Sequence, residues 1–306
     1  MSRIAYFGAQ GSFTEQAAIG LSRVGKDELV PVATVPAALR AVRVGDFDAC
    51  CVPVENSVEG AVTATMDALA DGPPLVAIAE AVLPIRFSIL VRPGTTSAQI
   101  ATIASHPHAL AQVTGWLAEH LPNATPLAST STSAAAVAVA AGEFDAAVTA
   151  PVAATHYPLA ALATDVADVP DAVTRFLLLR RPGEIPEPTG ADRTSLVAIT
   201  TDRLGALAEL LVELAERGIN LTRIESRPTK GRLGEYRFFF DVDGHIAEAR
   251  LGDAVAALRR RCAQVRFLGS YPKADGMSTP AVPGTTDADF AAAREWVTRI
   301  REGYGA

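Results

Sequence analysis

Residues 205–228 read GALAELLVELAERGINLTRIESRP. The first half places apolar side chains at helical spacing on one face: Leu207, Leu210, Leu211, Leu214 and Ala215. Gly218 then stands where a helix end favours a residue that can take a positive φ. The run from Leu221 to Arg227 has the composition of a strand, and it is expected to stop at Pro228, which cannot donate to a continuing ladder. The stretch therefore predicts a helix followed by a strand.

The segments on both sides complete a recognisable order. An apolar run at residues 196–199 precedes the helix, and an alternating run follows the strand: Tyr236, Phe238, Phe240 and Val242. A second helix with one apolar face comes next: Leu251, Ala254, Val255, Leu258 and Cys262. Residues 265–271 form the last strand. The order βαββαβ predicts a ferredoxin-like sandwich of a sheet and two helices.

Composition limits the class of protein. The chain has 306 residues, 49% of them hydrophobic, which suits more than one core. A net charge of −7 argues against nucleic acid as a partner. Two of the three cysteines are adjacent in an apolar run, which is no disulfide framework. The first residues have the pattern of a strand and not of a secretion signal, and charges and a proline interrupt the apolar run at 75–91. We therefore expect a cytoplasmic protein without membrane contact.

An internal repeat lies in the first half of the chain. A helix pattern at 36–44 leads into GDFDACCVP at 45–53, and another at 133–141 leads into GEFDAAVTAP at 142–151, a separation of 97 positions. The repeat predicts two similar α/β lobes, each with a parallel sheet covered by helices, as in periplasmic-binding-protein-like folds. Such lobes bind small anions in the cleft between them, near helix N-termini.

The pattern also predicts domain boundaries. Lobe one is expected at about 1–74 with 164–181, and lobe two at about 75–163, together the catalytic domain 1–181. A proline-rich linker follows at 182–192, then the βαββαβ domain at 193–272 and a tail at 273–306. A terminal helix at 288–301 has an apolar face that needs a partner on this chain or a second one: Phe290, Ala293, Val297 and Ile300.

Polar residues gather at several turns of the first half. Ser12 and Glu15 fit a capping box in a glycine-rich turn that opens a helix. Glu55, Asn56 and Ser57 follow a buried strand, either as another cap or as part of an α/β site. The hydroxyl run at 129–133 can cap a helix, or also meet a carboxylate.

Two further motifs complete the candidate site. His106 and His108 have no third ligand at metal spacing, so cleft lining or capping is expected there and no metal. Thr174-Arg175-Phe176 stands at the start of a strand that is expected to be buried. An arginine at such a position is either exposed to solvent or bound to an anion.

Taken together, these motifs resemble the prephenate dehydratase family over residues 4–272. The family's motifs match Gly11-Ser12-Phe13-Thr14, Glu55-Asn56-Ser57, Ser105-His106-Pro107 with Gln112, and Thr174-Arg175-Phe176. The βαββαβ segment resembles the phenylalanine-binding type of ACT domain. One departure is that Asp171 and Ala172 stand where the family often has an asparagine. Since no chorismate mutase-like helical segment precedes residue 1, a monofunctional enzyme is expected.

The resemblance implies a hydro-lyase that converts prephenate into phenylpyruvate without metal or cofactor and is regulated by L-phenylalanine. The implied catalytic residues are Thr174, Arg175, Phe176, Glu55, Asn56 and Ser57. The implied substrate-binding residues are Ser12, Thr14, Ser105, His106, Ser131 and Thr132. The implied phenylalanine site comprises Gly205, Ala206, Leu207, Asn220, Leu221, Glu225, Ser226, Arg227 and Pro228. ACT domains usually pair, so a homodimer or homotetramer is expected.

The chemistry suggests a role for three of these residues. Thr174 is expected to donate a hydrogen bond to the departing hydroxyl, and Glu55 is a candidate for supplying the proton. Arg175 is expected to hold the pyruvyl carboxylate, because clamping the carboxylate that leaves would stabilise the ground state.

Three other functions stay open at this point. Arogenate dehydratase differs only in the substrate's side chain. A non-catalytic small-anion-binding sensor would share the two lobes, but a solute-binding protein would normally carry a secretion signal. A transcription regulator would need a basic DNA-reading element, which the sequence lacks.

Overall fold

The computed structural model describes residues 1–169, 171–200, 203–229 and 235–303. The chain forms two compact units. The first comprises Met1–Ala68 and Ala81–Arg181, and the second Leu69–Glu80 and Pro182–Ala306. Within the described ranges, none of the helices has the length and apolarity that crossing a bilayer requires.

Lobe one is built around a mixed sheet. Its elements are β1 (Ser2–Phe7), α1 (Phe13–Leu21), β2 (Asp27–Val32), α2 (Val35–Val44), β3 (Ala49–Asn56), β4 (Gly60–Ala61), α3 (Thr63–Ala70), β5 (Val76–Pro84) and, much later in the chain, β11 (Val173–Arg180). The end of α3 and the start of β5 fall within the segment Leu69–Glu80 that is counted with the second unit. The strand order is β2-β1-β3-β11-β5, with the short β4 paired to β3. β1 runs parallel to β2 and β3, whereas the returning β11 runs antiparallel to β3.

Lobe two has the same layered construction. Its elements are β6 (Ser88–Val91), a 3₁₀ turn (Ser97–Gln99), β7 (Thr102–Ser105), α4 (Pro107–Ala111), α5 (Thr114–His120), β8 (Thr125–Ala128), α6 (Thr132–Ala141), β9 (Ala146–Thr149), α7 (Ala153–His156) and β10 (Ala160–Ala163). The strand order is β10-β6-β9-β7-β8. β7 is parallel to β8 and β9, while β6 is antiparallel to β9 and β10.

Two expectations about the lobes were wrong. The sheets are mixed and not parallel, because the strands that cross between the lobes enter each sheet in the opposite direction. β5 belongs to the sheet of lobe one, so the crossing lies after Pro84 and not near residue 75. Apolar residues continue on both sides of Pro84, so hydrophobicity alone did not mark the end of one strand and the start of the next.

The internal repeat is a structural repeat. α2 and α6 both end at a glycine in the left-handed region, Gly45 at φ 92° and Gly142 at φ 85°. Each helix then leads into a central buried strand. The aspartate before each strand accepts a backbone N–H from the neighbouring parallel strand: Asp48 from β1 at 2.8 Å and Asp145 from β7 at 2.9 Å. The shared GxFDA pattern therefore encodes one helix-to-strand unit used twice.

The second unit contains the predicted βαββαβ sandwich. Its elements are β12 (Asp192–Ile199), α8 (Ala206–Ala215), β13 (Leu221–Pro228), β14 (Tyr236–Asp243), α9 (Ala249–Arg261) and β15 (Gln264–Pro272). The antiparallel sheet has the order β13-β14-β12-β15. Both helices bury the apolar faces that the sequence indicated, packing on the sheet through Leu210, Leu214, Leu251 and Leu258 among others. β13 ends at Pro228 and lies at a sheet edge. At an edge the N–H that proline lacks is least needed for hydrogen bonding to a neighbouring strand.

Two more segments belong to this unit. Residues 69–80 pack on its sheet: Glu80 accepts hydrogen bonds from Arg193 at 2.8 and 2.6 Å. Gly269 lies so close to the same segment that a Cβ would be 2.3 Å from the carbonyl oxygen of Ala77. Helix α10 (Asp287–Arg301) follows, and Val297 and Ile300 on its apolar face are exposed within a single chain.

Candidate functional site

A cleft of about 350 Å³ lies within the first unit and is lined by residues of both lobes. Its lining comprises Phe7, Gly8, Ser12, Phe13, Thr14, Pro53, Asn56, Glu59, Val62, Ile85, Phe87, His106, His108, Ala109, Gln112, Thr130, Ser131, Thr132, Ser133, Thr174 and Phe176. Eight of these were predicted as site residues: Ser12, Thr14, Asn56, His106, Ser131, Thr132, Thr174 and Phe176. Motifs more than a hundred residues apart in sequence therefore meet at one cleft.

Asn56 and Thr174 form the polar centre of the lobe-one side. They are paired across β3 and β11, and the Asn56 Nδ2 donates a hydrogen bond to the Thr174 Oγ1 at 2.8 Å. Thr174 accepts in this bond, so its own O–H hydrogen is not used by it. Only 8% of Thr174 is exposed. The site therefore presents a held hydroxyl that can donate to a ligand.

The backbone fixes the orientation of Asn56. Its Oδ1 accepts the N–H of Val58 at 2.8 Å and that of Glu59 at 3.0 Å. The side-chain amide nitrogen must then point toward Thr174, because the oxygen is already used by two donors. The turn after β3 thus orients the cleft hydroxyl through one amide.

Glu55 and Arg175 are not among the lining residues of the cleft, so the roles predicted for them stay predictions. They are the strand neighbours of Asn56 and Thr174, and the β3–β11 register shifts between Arg175 and Phe176. Glu55 and Arg175 are paired in the β3–β11 register, with 3.7 Å between the Arg175 Nη1 and the Glu55 Oε2. Residues that line the cleft and residues that do not are therefore neighbours within the same sequence motif.

Two predicted hydroxyls are also engaged elsewhere. The Ser57 Oγ accepts the backbone N–H of Val173 at 2.9 Å and fixes the start of β11. Ser105 is fully buried, and its Oγ donates to the carbonyl oxygen of Val148 at 2.6 Å, which ties β7 to β9. Neither side chain is among the lining residues of the cleft, and the catalytic role of Ser57 and the substrate contact of Ser105 stay predictions.

Two long helices begin at the cleft. Ser12 caps α1 by accepting the N–H of Glu15 at 3.2 Å, and Ser131 caps α6 by accepting the N–H of Ala134 at 2.9 Å. Residues of both first turns line the cleft, among them Thr14 and Thr132. The partial positive charge of each N-terminus favours an anion there. The cleft is therefore suited to a ligand with two negative groups.

The capping box predicted for Ser12 and Glu15 is only half formed. The Glu15 carboxylate accepts the N–H of Gly11 at 2.7 Å and the hydroxyl of Tyr6 at 3.0 Å, and the His156 Nε2 lies 2.9 Å from it. Burial, and then the Glu15 charge, raise the pKa of Tyr6 well above its usual value, so Tyr6 stays a donor. Glu15 holds the glycine turn that carries Ser12.

Apart from Phe176, the residues of the apolar wall of the cleft were not predicted as site residues. Phe13 and Phe87 meet edge to face with ring centroids 5.5 Å apart, and Phe7, Ile85 and Phe176 join them in the lining. Phe7 ends β1 and Phe13 belongs to the quoted glycine turn, whereas Ile85 and Phe87 lie in the crossing segment, which carries no motif. Only the fold brings the crossing segment to the cleft.

A polar cluster at the cleft was also missed as a site. The His108 Nδ1 lies 2.5 Å from the Glu59 Oε2, and the Gln112 Nε2 donates to the Glu59 Oε1 at 3.4 Å. Glu59 follows β3 in lobe one, while His108 and Gln112 come from α4 and its end in lobe two. Glu59 stands two residues after Glu55-Asn56-Ser57, and His108 and Gln112 belong to the histidine motif, but their spacing gave no sign that they would meet.

Among the described residues, the histidines, cysteines and acidic side chains form no group of three or more that could hold a metal ion. All three cysteines are buried and free. Burial raises the pKa of the Cys50 thiol to about 12, so it is a packing group and a poor nucleophile.

The predicted phenylalanine-site residues lie around the first turn of α8 and along β13. Gly205 is the N-cap of α8 with φ 78°, and Leu207 and Leu221 pack partly on the core. The Asn220 amide donates to Asp243 at 2.8 Å. The last four predicted positions occupy the edge strand β13: Glu225, Ser226, Arg227 and Pro228.

Two α/β lobes around an anion-suited cleft, with a βαββαβ module in the same chain, define a two-lobed α/β protein with an ACT-type domain. The model of the prephenate dehydratase family matches residues 4–184, and that of the ACT domain matches residues 194–260. The prephenate dehydratase of Amycolatopsis methanolica is 62% identical over 307 residues, which is 100% of both chains. This chain belongs to the prephenate dehydratase family, a family of hydro-lyases, and carries an ACT domain.

Solved structures agree with this assignment. The prephenate dehydratase of Arthrobacter aurescens, in complex with L-Phe, superposes with a TM-score of 0.93 at 46% identity and covers 98% of this chain and 99% of its own. GqqA, described as a novel type of quorum quenching acylase, has a TM-score of 0.80 at 30% identity and covers 91% of this chain and 98% of its own.

Proposed function

We propose that the cleft converts prephenate into phenylpyruvate, carbon dioxide and water in the biosynthesis of L-phenylalanine, in the cytoplasm. The single observation that carries this proposal is the Asn56–Thr174 pair, whose hydroxyl is held in a cleft between two helix N-termini. Membership of the prephenate dehydratase family supports it.

The reaction needs little beyond positioning. Prephenate carries two carboxylates; loss of one as carbon dioxide and of the ring hydroxyl as water leaves an aromatic ring and consumes one proton. The gain of aromaticity drives the reaction, so orientation and help for the departing hydroxyl suffice. We assign the two anionic groups to the starts of α1 and α6, and the ring to the wall of Phe13, Phe87 and Phe176.

Each polar residue has one task in this proposal. Thr174 donates a hydrogen bond to the departing hydroxyl, and Asn56 holds the Thr174 oxygen in place. Arg175 and Glu55 support the strand pair from its other face and do not touch substrate. In this proposal Glu55 is not assigned as the proton donor.

The proposal is tested by giving purified protein either prephenate or arogenate, with a chelator present, and identifying the product. Phenylpyruvate formed from prephenate at the higher kcat/KM supports it. Preference for arogenate would make the chain an arogenate dehydratase, and tight binding of either acid without turnover would make it a small-anion sensor.

We further propose that L-phenylalanine binds the ACT domain and inhibits the cleft. The L-Phe complex of the Arthrobacter relative, at 46% identity, supports this. The start of α8 offers N–H groups to the carboxylate, and Leu207 and Leu221 offer an apolar wall to the ring. Calorimetry with L-phenylalanine tests this proposal. If no binding is detected, the ACT domain binds another ligand or serves in assembly of the oligomer.

The proposed assembly is a homodimer or homotetramer. Support comes from the edge position of β13, which presents backbone groups that a second copy can pair, and from the exposed apolar face of α10. The proposed domain limits are 1–181, 182–192, 193–272 and 273–306. Light scattering of the purified chain tests the assembly, and a monomer at micromolar concentration would contradict it.

A further inference from the structure

A short segment of lobe two contacts the glycine turn that opens α1 in lobe one. This α7 segment comprises residues 153–157, that is, helix α7 and the tyrosine after it. The Tyr157 hydroxyl donates to the carbonyl oxygen of Gln10 at 3.2 Å, and the His156 Nε2 lies 2.9 Å from the Glu15 Oε2. The turn that carries Ser12 is therefore held from lobe two as well as from lobe one.

The Glu15 carboxylate is the centre of this contact. Glu15 is 5% exposed, and within lobe one it accepts the N–H of Gly11 at 2.7 Å and the hydroxyl of Tyr6 at 3.0 Å. A buried carboxylate needs such partners, and His156 adds one from the other lobe. Burial, and then the Glu15 charge, raise the pKa of Tyr157 above its usual value, so the Tyr157 hydroxyl stays a donor.

Gly11 brings the two lobes into close contact at the same place. Its φ is 82°, in the left-handed region that favours glycine. A Cβ at this position would lie 2.9 Å from the Cα of Ala153, which is closer than side-chain carbons pack. The backbone of the turn and the backbone of α7 are therefore in contact, with no space for a larger residue between them.

The α7 segment also packs with α6, the other helix that begins at the cleft. Ala153 belongs to one core cluster with Ala135 and Ala136 of α6, and Tyr157 packs against the same cluster. Residues at the starts of α1 and α6 line the cleft. One segment thus contacts the turn before α1 and shares a core with α6, so its position sets the separation of the two helix starts.

We propose that the α7 segment is a spacer that fixes the distance between these two helix N-termini, and that His156 and Tyr157 are positioning residues for substrate binding. Neither residue lines the cleft, so both act through the turn that they contact. A ligand with two anionic groups can use both helix starts only while their separation matches its own length. The inference rests on the proposed dehydratase function.

The first test removes the polar contacts between the lobes in the intact chain. His156→Leu and Tyr157→Phe each remove one contact, and the double variant removes both. Tyr6→Phe is the matched control, because it removes a donor to the same Glu15 carboxylate from within lobe one. For each protein, kcat and KM are measured with prephenate, and thermal unfolding reports the loss of stability.

The expected result is a change in KM with little change in kcat. KM rises in inverse proportion to the fraction of molecules whose helix starts are in place. The double variant should raise KM about tenfold, or about 1.4 kcal/mol, the order of one hydrogen bond to a charged group. Its kcat should stay within about threefold, because the pair of Asn56 and Thr174 is untouched. Tyr6→Phe should lower the melting temperature and leave KM within about twofold.

The second test uses the close contact at Gly11. In Gly11→Ala the new methyl group would overlap Ala153 and push α7 away from the turn, so KM should again rise about tenfold. Gly142→Ala is the matched control, since Gly142 has φ 85° and open space at its Cβ. It imposes the same backbone strain without a contact between lobes, and KM should be unchanged.

Two results would overturn the inference. One is a folded double variant with an unchanged KM; the other is a Tyr6→Phe protein whose KM rises as much as that of His156→Leu, since the effect would then arise within lobe one. Failure of the dehydratase function is distinguishable, because the unmodified chain would then not turn over prephenate. In that event calorimetry with prephenate compares the dissociation constants of the same proteins, and absence of binding to the unmodified chain would refute the inference as well.

Discussion

Replacing Thr174 with Val removes one hydroxyl from the cleft and leaves the shape of the side chain almost unchanged. Both residues are β-branched and suit the strand β11, where Thr174 is only 8% exposed. If that hydroxyl donates to the departing group, its loss should lower kcat roughly 10²–10³-fold, by analogy with the loss of one oxyanion donor. KM should change far less, because the interaction strengthens in the transition state.

The structure also gives a stability effect for the same variant. Val leaves the Asn56 Nδ2 without its acceptor at 2.8 Å, and the loss of one such partly buried hydrogen bond costs about 1 kcal/mol. Denaturant unfolding measures this loss of stability separately from the loss of catalytic rate. Thr174→Ser, which keeps the hydroxyl, is the matched control and should retain most of the activity. A folded Thr174→Val protein with kcat within a few-fold of the unmodified chain would refute the reasoning, since the hydroxyl would then be only a packing group.

Three further predictions concern residues outside the cleft. Arg175→Lys should leave KM for prephenate within about twofold and lower the melting temperature, because Arg175 pairs with Glu55 away from the cleft. A clear rise in KM would instead show that Arg175 contacts the substrate. Burial works to raise the pKa of Asp243, but hydrogen bonds from Asn220, Thr279 and Lys273 outweigh it and lower the pKa below its usual value. The stabilisation by Asp243 is therefore present above pH 4, roughly the unfolded pKa, and is lost as the pH falls through the folded pKa. Thermal unfolding of Asp243→Asn should then show a deficit at pH 7 that shrinks in acid, and a deficit independent of pH would contradict this. Gly205→Ala should raise the half-inhibitory concentration of L-phenylalanine about tenfold, or about 1.4 kcal/mol, with basal turnover unchanged. Gly190→Ala is its control, since both glycines have φ near 80° and open space at Cβ, and equal effects of the two variants would place the effector elsewhere.

The regulatory test uses the intact chain for a structural reason. A chain cut near Gly190 would remove the sheet on which residues 69–80 pack, including the Arg193 partner of Glu80. Leu75 and Ala77, both buried in the full chain, would be uncovered. Loss of inhibition in such a fragment would therefore not separate regulation from folding, whereas a single substitution at Gly205 does.

Periodicity in the sequence was sufficient for the main architecture. The stripe that begins at Leu207 and the alternation from Tyr236 to Val242 each describe one element and its buried face, and the βαββαβ order followed. The GxFDA repeat identified two lobes because the glycine and the aspartate have local tasks, one to end a helix and one to hold a neighbouring strand. Strand direction was not predictable in this way, since parallel and antiparallel strands buried on both faces have similar compositions.

The candidate site was predictable as a set of segments and not as a set of side chains. Thr174 and Asn56 line the cleft, but their motif neighbours Arg175 and Glu55 do not, and the motifs gave no sign of which side chains face the cleft. Ser105 precedes the cleft residue His106 in sequence, but its hydroxyl forms a hydrogen bond that holds β7 to β9. Glu59 and His108 became neighbours only when the two lobes were brought together, which no local pattern encodes.

The most direct test of the central claim is the stoichiometry of the reaction at neutral pH. Purified protein is mixed with a known amount of prephenate, and phenylpyruvate and carbon dioxide are measured as prephenate disappears. The account predicts one phenylpyruvate and one carbon dioxide for each prephenate, at a rate far above the spontaneous one and strongly reduced in Thr174→Val. Consumption no faster than in buffer, or a product that keeps both carboxylates, would contradict it.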